Sequence, residues 1–226
     1  MIKATNADGF SGFTGTVGKN RKAIIEINKN QKTTNFIKFP ISDNSINLIE
    51  LEKNNLKKLE VYSFQKSVLP TITPYSKNEN VAILSNVKPQ IPTINSMDLQ
   101  ETHLQAIKEW IDKTQAKRTL KDISAYQTIT GSLTTLNADY QPVNDLSIEK
   151  AKQLLDGLNQ LHKGLDKTKT IPTAMAHCDF TPWNMYFGTD KIYVYDWELA
   201  KMDMPLLFDA IHFIFQSHIV NNILVL

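Results

Sequence analysis

The chain has 226 residues, 42% of them hydrophobic, with 25 basic and 23 acidic side chains and a formal net charge of +2. That is enough apolar material for one sizeable domain or two small lobes without staples, and the near-neutral balance with scattered lysines argues against nucleic acid as a partner. Cys178 is the single cysteine, which excludes a disulfide framework and a thiolate-rich zinc site and points to a reducing compartment, the cytoplasm. No apolar run reaches the ~18 residues of a membrane helix and no signal-peptide pattern is present, so no membrane partner is expected.

The first part of the chain reads as strands and turns. Gly9, Gly12, Gly15 and Gly18 recur at every third position in "GFSGFTGTVG". The runs "KAIIEI" (22–27) and "NFIKFP" (35–40) follow, rich in β-branched and aromatic residues, so a glycine-punctuated antiparallel strand pair is predicted. Next comes a helix over "SINLIELEKNNLKKL", with Leu48, Leu51, Leu56 and Leu59 at helical spacing and Asp43 or Ser45 as the cap. "VYSFQKSVLPTI" and "ENVAILSNV" supply further strand candidates. Pro89 and Pro92, in the polar segment "KPQIPTINS", mark the best linker. Two amphipathic helices follow. One carries Leu99, Leu104, Ile107, Trp110 and Ile111, and the other Ile148, Ala151, Leu154, Leu155, Leu158 and Leu161. The expected architecture is α+β and bilobal: a β-rich lobe with one helix over 1–88, a hinge over 89–95 and a mainly helical lobe over 96–226.

One stretch carries chemistry. In "HCDFTPWNMYF", His177, Asp179 and Asn184 reproduce the His-x-Asp-x4-Asn spacing of a kinase catalytic loop, and Asp196 closes the run "KIYVYD" farther on. That gap suits a short hairpin returning a second metal ligand to the same cleft. Phosphoryl transfer needs a carboxylate to orient the attacking hydroxyl and hard oxygen ligands for magnesium. Asp179 is the candidate for the first task, and Asn184 with Asp196 for the second. His177 reads as a loop organiser, Phe180, Trp183 and Trp197 as packing residues, and Glu198 as a support for the metal loop.

"HCDFTPWNMYF…YVYDWELA" resembles the aminoglycoside phosphotransferase and choline kinase family of small-molecule kinases, through its "FTPWN" and "DWE" elements. The resemblance implies a protein-kinase-like fold that uses magnesium to move the γ-phosphoryl group of ATP or GTP to a hydroxyl of a small molecule. The acceptor would be a sugar, an amino sugar, an aminoglycoside or an amino alcohol such as choline. It also implies a phosphate-binding lysine on a central strand, paired with a helix glutamate. Lys38 is the candidate lysine, against the alternative of an edge or snorkelling position in an apolar strand. Glu52 is its candidate partner, because Leu48, Ile49 and Leu56 place it on the inward stripe of its helix, whereas Glu50 is flanked by Asn47, Lys53 and Asn54. The glycine segment is not Gly-x-Gly-x-x-Gly; it reads equally as a hairpin over phosphates and as an ordinary strand turn. Residues Leu84 to Val87 would meet the base through the backbone.

Two departures stand out. Cys178 occupies a position usually held by glycine, and reads as tolerated. The resemblance also implies further helices beyond the one that carries Asp209, so the expectation is either a reduced acceptor pocket or a chain whose C-terminal part is absent. The rival reading is a non-catalytic kinase-fold protein that binds nucleotide or regulates. The residues leave the acceptor, the choice of ATP or GTP and the oligomeric state open.

Overall fold

Alternation of apolar residues builds the first sheet: Ile27, Ile37, Val81 and Ile83 form one buried cluster, with Ile25 and Phe39 packed against it. The computed structural model describes residues 7–15, 17–73, 80–89, 96–138 and 148–223. Strands β1 (Gly9–Thr14), β2 (Lys22–Lys29), β3 (Lys32–Pro40), β4 (Ser67–Val68) and β5 (Ala82–Ser85) lie in the N-terminal part. Four of them form an antiparallel sheet in the order β1-β2-β3-β5. The predicted strand pair is therefore joined by a third strand, because the glycine segment itself pairs along β2. Asn30 and Gln31, both at positive φ, close the β2–β3 hairpin, as a two-residue turn matching the strand twist requires. The candidate run at 61–72 shrinks to β4 and one bridge, Ile72 to Leu84.

Helix α1 (Asp43–Leu59) follows β3 directly. Its N-cap is Ser42, not the expected Asp43 or Ser45. Ser42 and Ser45 form a reciprocal capping box, in which each side chain accepts from the other's backbone N–H. Helix α2 (Glu101–Thr114) buries His103, Ala106, Ile107 and Trp110. The His103 ring sits among Phe180, Phe187 and Phe213, and burial pushes its pKa down to about 4. The expected linker at 89–95 lies, apart from Pro89, outside the described residues.

Two compact units divide the chain. The first takes residues 1–113, 176–201 and 207–226, and the second 114–175 with 202–206. The second holds the three-stranded sheet β10-β7-β6, formed by β6 (Ala116–Thr119), β7 (Thr170–Ala176) and β10 (Lys201–Pro205). It also holds α3 (Ser124–Ala138), a helix the sequence reading did not foresee, and α4 (Ile148–Gly164). These helices meet through polar groups: Tyr126 stacks on His162, and Asn137 and Asn159 exchange amide hydrogen bonds. The face of α4 turned inward thus runs Ala151, Leu155, Asn159, His162. The leucine stripe expected to pack faces outward, with Leu154 62% and Leu161 71% exposed. No helix among the described residues is long and apolar enough to cross a membrane.

The first unit also contains the hairpin of β8 (Met185–Phe187) and β9 (Ile192–Val194), with β4 parallel to β9, and the final helix α5 (Phe208–Ile223). Gly188 is required in that hairpin, since a Cβ there would lie 2.8 Å from the Tyr193 ring and 3.0 Å from the Lys191 carbonyl oxygen. The fold is α+β, with a sheet-rich N-terminal part and helices following.

Candidate active site

Strand alternation places Phe36 and Lys38 on one face of β3, which is a central strand bonded to β2 and β5 on either side. Lys38 is therefore not at an edge. Its Nζ donates to both carboxylate oxygens of Glu52, at 2.8 and 2.7 Å, and also to Asp196 Oδ1. Glu52 is fully buried on α1, as its apolar neighbours predicted. Burial alone would depress the Lys38 ammonium, but Glu52 and then Asp196 outweigh it and hold its pKa above the ordinary lysine value. The two carboxylates diverge. Enclosure drives the Glu52 carboxyl up against the pull of Lys38, whereas for Asp196 burial, the largest single effect, is outweighed by Lys38 together with Lys22 and His177, and its pKa falls. Carboxylate oxygens of Glu52, Asp196 and Glu198 all lie within 4.8 Å of one another.

After β7 the chain turns through His177, Cys178 and Asp179. His177 is buried, accepts from the Asp179 N–H at Nδ1 and meets the Tyr195 carbonyl through Nε2 at 2.9 Å. It thus ties the loop to the residue preceding Asp196. Asp209, at the start of α5, accepts from the N–H groups of His177 (2.7 Å) and Cys178 (3.0 Å). Burial pushes its carboxyl up. Cys178 stands at φ 65°, in the left-handed region that glycine occupies without cost.

The 3-10 turn Pro182–Asn184 brings Asn184 back onto Asp179, where its amide donates to the carboxylate Oδ2 at 2.8 Å and to the backbone oxygen at 3.0 Å. His212 Nε2 lies 3.5 Å from the other oxygen, Oδ1. His212, and after it Asn184, holds the Asp179 carboxyl below the usual carboxylate range against an opposing contribution from burial. The five expected residues thus fall into two groups within one compact unit: Lys38, Glu52 and Asp196 in one, Asp179 and Asn184 in the other. Lys38, Asn184 and Asp196 line a common cavity of about 360 Å³. Phe36, Leu84 and Val87 form its apolar side, including the segment expected to meet a base.

Several contributors escaped the sequence reading. Trp183, expected to pack, is 42% exposed and lines the cavity, while Phe180 and Trp197 are buried as expected. Asn55 donates to the carbonyls of Trp197 (2.9 Å) and Ala200 (3.1 Å), clamping the turn after Asp196 to α1. Its signal was its place three residues after Glu52, on the same helix face, just as His212 follows Asp209 by three. Lys22, at the start of β2, pairs with Glu198; nothing in the sequence links residues so far apart.

No protein-family model matches the chain, and no curated protein matches it in sequence. Solved structures do. The streptomycin–ATP ternary complex of APH(2")-IIa superposes with a TM-score of 0.59 at 14% identity, over 90% of this chain and 70% of that one. The GDP complex of wild-type aminoglycoside 2'-phosphotransferase-IIIa gives 0.56 at 14%, over 96% and 77%. The fold is that of a protein-kinase-like small-molecule phosphotransferase. Macrolide 2'-phosphotransferase MphH from Brachybacterium faecium shares it, with a TM-score of 0.56 at 12% identity over 97% and 81% of the two chains. At these identities the likeness is one of fold. In that protein-kinase-like fold, Lys38 stands on the central strand of the N-terminal sheet, and the segment 177–196 forms the loop and hairpin beside it.

Proposed function

We propose that this protein is an enzyme that moves the γ-phosphoryl group of ATP or GTP to a hydroxyl of a small molecule such as a sugar, amino sugar, aminoglycoside or amino alcohol. The observation that carries the reading is the sharing of one buried ammonium, Lys38, by Glu52 and Asp196, in a cavity whose wall also holds Asn184, itself bonded to Asp179. In this reading residues 1–88 form the nucleotide-binding lobe, 89–95 the hinge and 96–226 the catalytic lobe. The neighbours' complexes with ATP, GDP and streptomycin support a nucleotide and a small hydroxylated substrate.

Lys38 binds the phosphates, and Glu52 keeps its ammonium in place. Asp179, its carboxylate anchored by Asn184 on one oxygen, orients the acceptor hydroxyl with the other. The acceptor oxygen bonds to the γ-phosphorus as the bridging P–O bond to the nucleoside diphosphate breaks, and the hydroxyl proton passes to Asp179. Asn184 and Asp196 offer the hard oxygen donors that suit magnesium, whose role is to neutralise phosphate charge. The Asn184 amide nitrogen is turned to Asp179, which leaves its carbonyl oxygen for that purpose. A non-catalytic nucleotide binder is the weaker alternative, since binding alone gives no reason for Asn184 and His212 to flank the two oxygens of Asp179.

Thermal shift with magnesium and ATP or GTP tests the nucleotide half, with stabilisation expected in wild type and largely lost in Asp196→Asn. Equal shifts in both would refute the metal assignment. A nucleotide-consumption screen over sugars, amino alcohols and aminoglycosides tests the other half, and an active wild type matched by an equally active Asp179→Asn would refute the catalytic assignment.

A further inference from the structure

Beside the cavity of Lys38 lies a second one of about 590 Å³, and the two share Ile24 and Asp196. Its lining is cationic: Lys19, Arg21 and Lys22 stand around it, with Asp196 as the one carboxylate among the described residues. Arg21 uses Nη2 to donate to Thr14 Oγ1, but its buried Nε has no partner among the described residues. Lys22 is drawn inward to Glu198, and both side chains are largely buried, 12% and 16% exposed. A lysine and an arginine with an unused donor, beside the carboxylate that borders the phosphate-binding lysine, form a seat for an anion.

We infer that Lys22 is a second phosphate-binding lysine, which recognises the terminal phosphate of a nucleoside triphosphate, with Glu198 occupying it as a resident anion in the absence of nucleotide. This rests on the phosphotransferase reading above. The balance of charges favours the exchange. Three carboxylates (Glu52, Asp196, Glu198) face two ammonium groups (Lys38, Lys22). Lys38 is held by two of those carboxylates, Lys22 by one, so Lys22 is the ammonium that a phosphate can capture by displacing a single partner. Asn55 holds the backbone of the turn that carries Glu198 through the flanking carbonyls of Trp197 and Ala200, so the Glu198 side chain can swing away while the turn stays fixed. The pair thus selects triphosphate over diphosphate: only the longer chain of phosphates reaches past Asp196 into the second cavity.

The test is equilibrium binding of fluorescent mant-ATP, mant-ADP, mant-GTP and mant-GDP, each with magnesium, to the whole chain. Lys22→Gln is expected to weaken the triphosphate that wild type binds by about tenfold (about 1.4 kcal/mol) and to change the matching diphosphate by less than about twofold. Glu198→Gln, by freeing Lys22 from its competitor, is expected to bind the triphosphate at least as tightly as wild type. Lys22→Arg is expected to keep the preference for triphosphate, which controls for folding. Equal losses for triphosphate and diphosphate, or parallel losses in Lys22→Gln and Glu198→Gln, would make the pair a structural strap and overturn the proposal. Wild type that binds none of the four would overturn the phosphotransferase reading and the proposal with it.

Discussion

Removing either partner of the Lys38–Glu52 pair should cost stability unequally, and the asymmetry follows from what each leaves behind. Lys38→Met strands Glu52, which is fully buried and whose two oxygens both rest on that one ammonium. Breaking a buried ion pair this way costs about 4 kcal/mol. Glu52→Gln leaves Lys38 its contact with Asp196, so about 2 kcal/mol is expected, the worth of the lost charge-assisted hydrogen bonds. Asp196 adds little to the first figure, because its side chain is 34% exposed and water can replace the ammonium. At roughly 2–4 °C per kcal/mol for a chain of this size, the melting temperature should fall by about 8–16 °C for Lys38→Met and about 4–8 °C for Glu52→Gln. The pH dependence gives a second check. Enclosure already raises the Glu52 carboxyl in the presence of Lys38, and without Lys38 it must rise further. A carboxyl whose folded pKa lies above its unfolded value binds its proton more tightly in the native state, so acidification stabilises the fold as pH falls through the folded pKa. The deficit of Lys38→Met relative to wild type should therefore shrink between about pH 8 and about pH 5.5, while that of Glu52→Gln should not. Urea denaturation of the three proteins at both pH values measures this. Equal deficits for the two variants, or a Lys38→Met deficit that grows on acidification, would refute the reasoning.

Two further substitutions probe the loop that carries Asp179. Cys178→Gly relieves a left-handed backbone at φ 65° and should raise stability by about 1 kcal/mol, seen as a melting temperature about 2–4 °C higher; a lower value would show that the cysteine side chain contributes more than its backbone costs. Asp209→Asn turns one of two accepting oxygens into an N–H donor facing the backbone N–H of His177 or Cys178, and should cost about 2 kcal/mol of unfolding free energy in urea. An unchanged midpoint would mean that the two backbone groups have other partners.

What the sequence made legible, and what it hid, divides along one physical line. Local periodicity exposes a residue's own element and face. Leu48, Ile49 and Leu56 put Glu52 on the buried side of α1, while its pairing with Lys38 was implied by the kinase resemblance, since the apolar strand "NFIKFP" alone would also have suited a lysine at an edge. Spacing likewise revealed the loop, since His177, Asp179 and Asn184 sit within one turn of chain and close on each other by short hydrogen bonds. Periodicity fails where two faces compete. Helix α4 has a leucine stripe and a mixed one, and tertiary contacts with α3 chose the mixed stripe because Tyr126 stacks on His162 and Asn137 pairs with Asn159. It fails again for Trp183, because an aromatic beside a cavity and an aromatic in a core leave the same mark in a sequence. It is silent for Lys22 and Glu198, which only the return of the chain through β8 and β9 brings together. Pairs of this last kind have no local cause in the sequence. The binding comparison of Lys22→Gln with Glu198→Gln therefore bears on more than one ion pair: opposite effects on triphosphate affinity would place nucleotide selection in a contact between the "DWE" element and a lysine outside any motif.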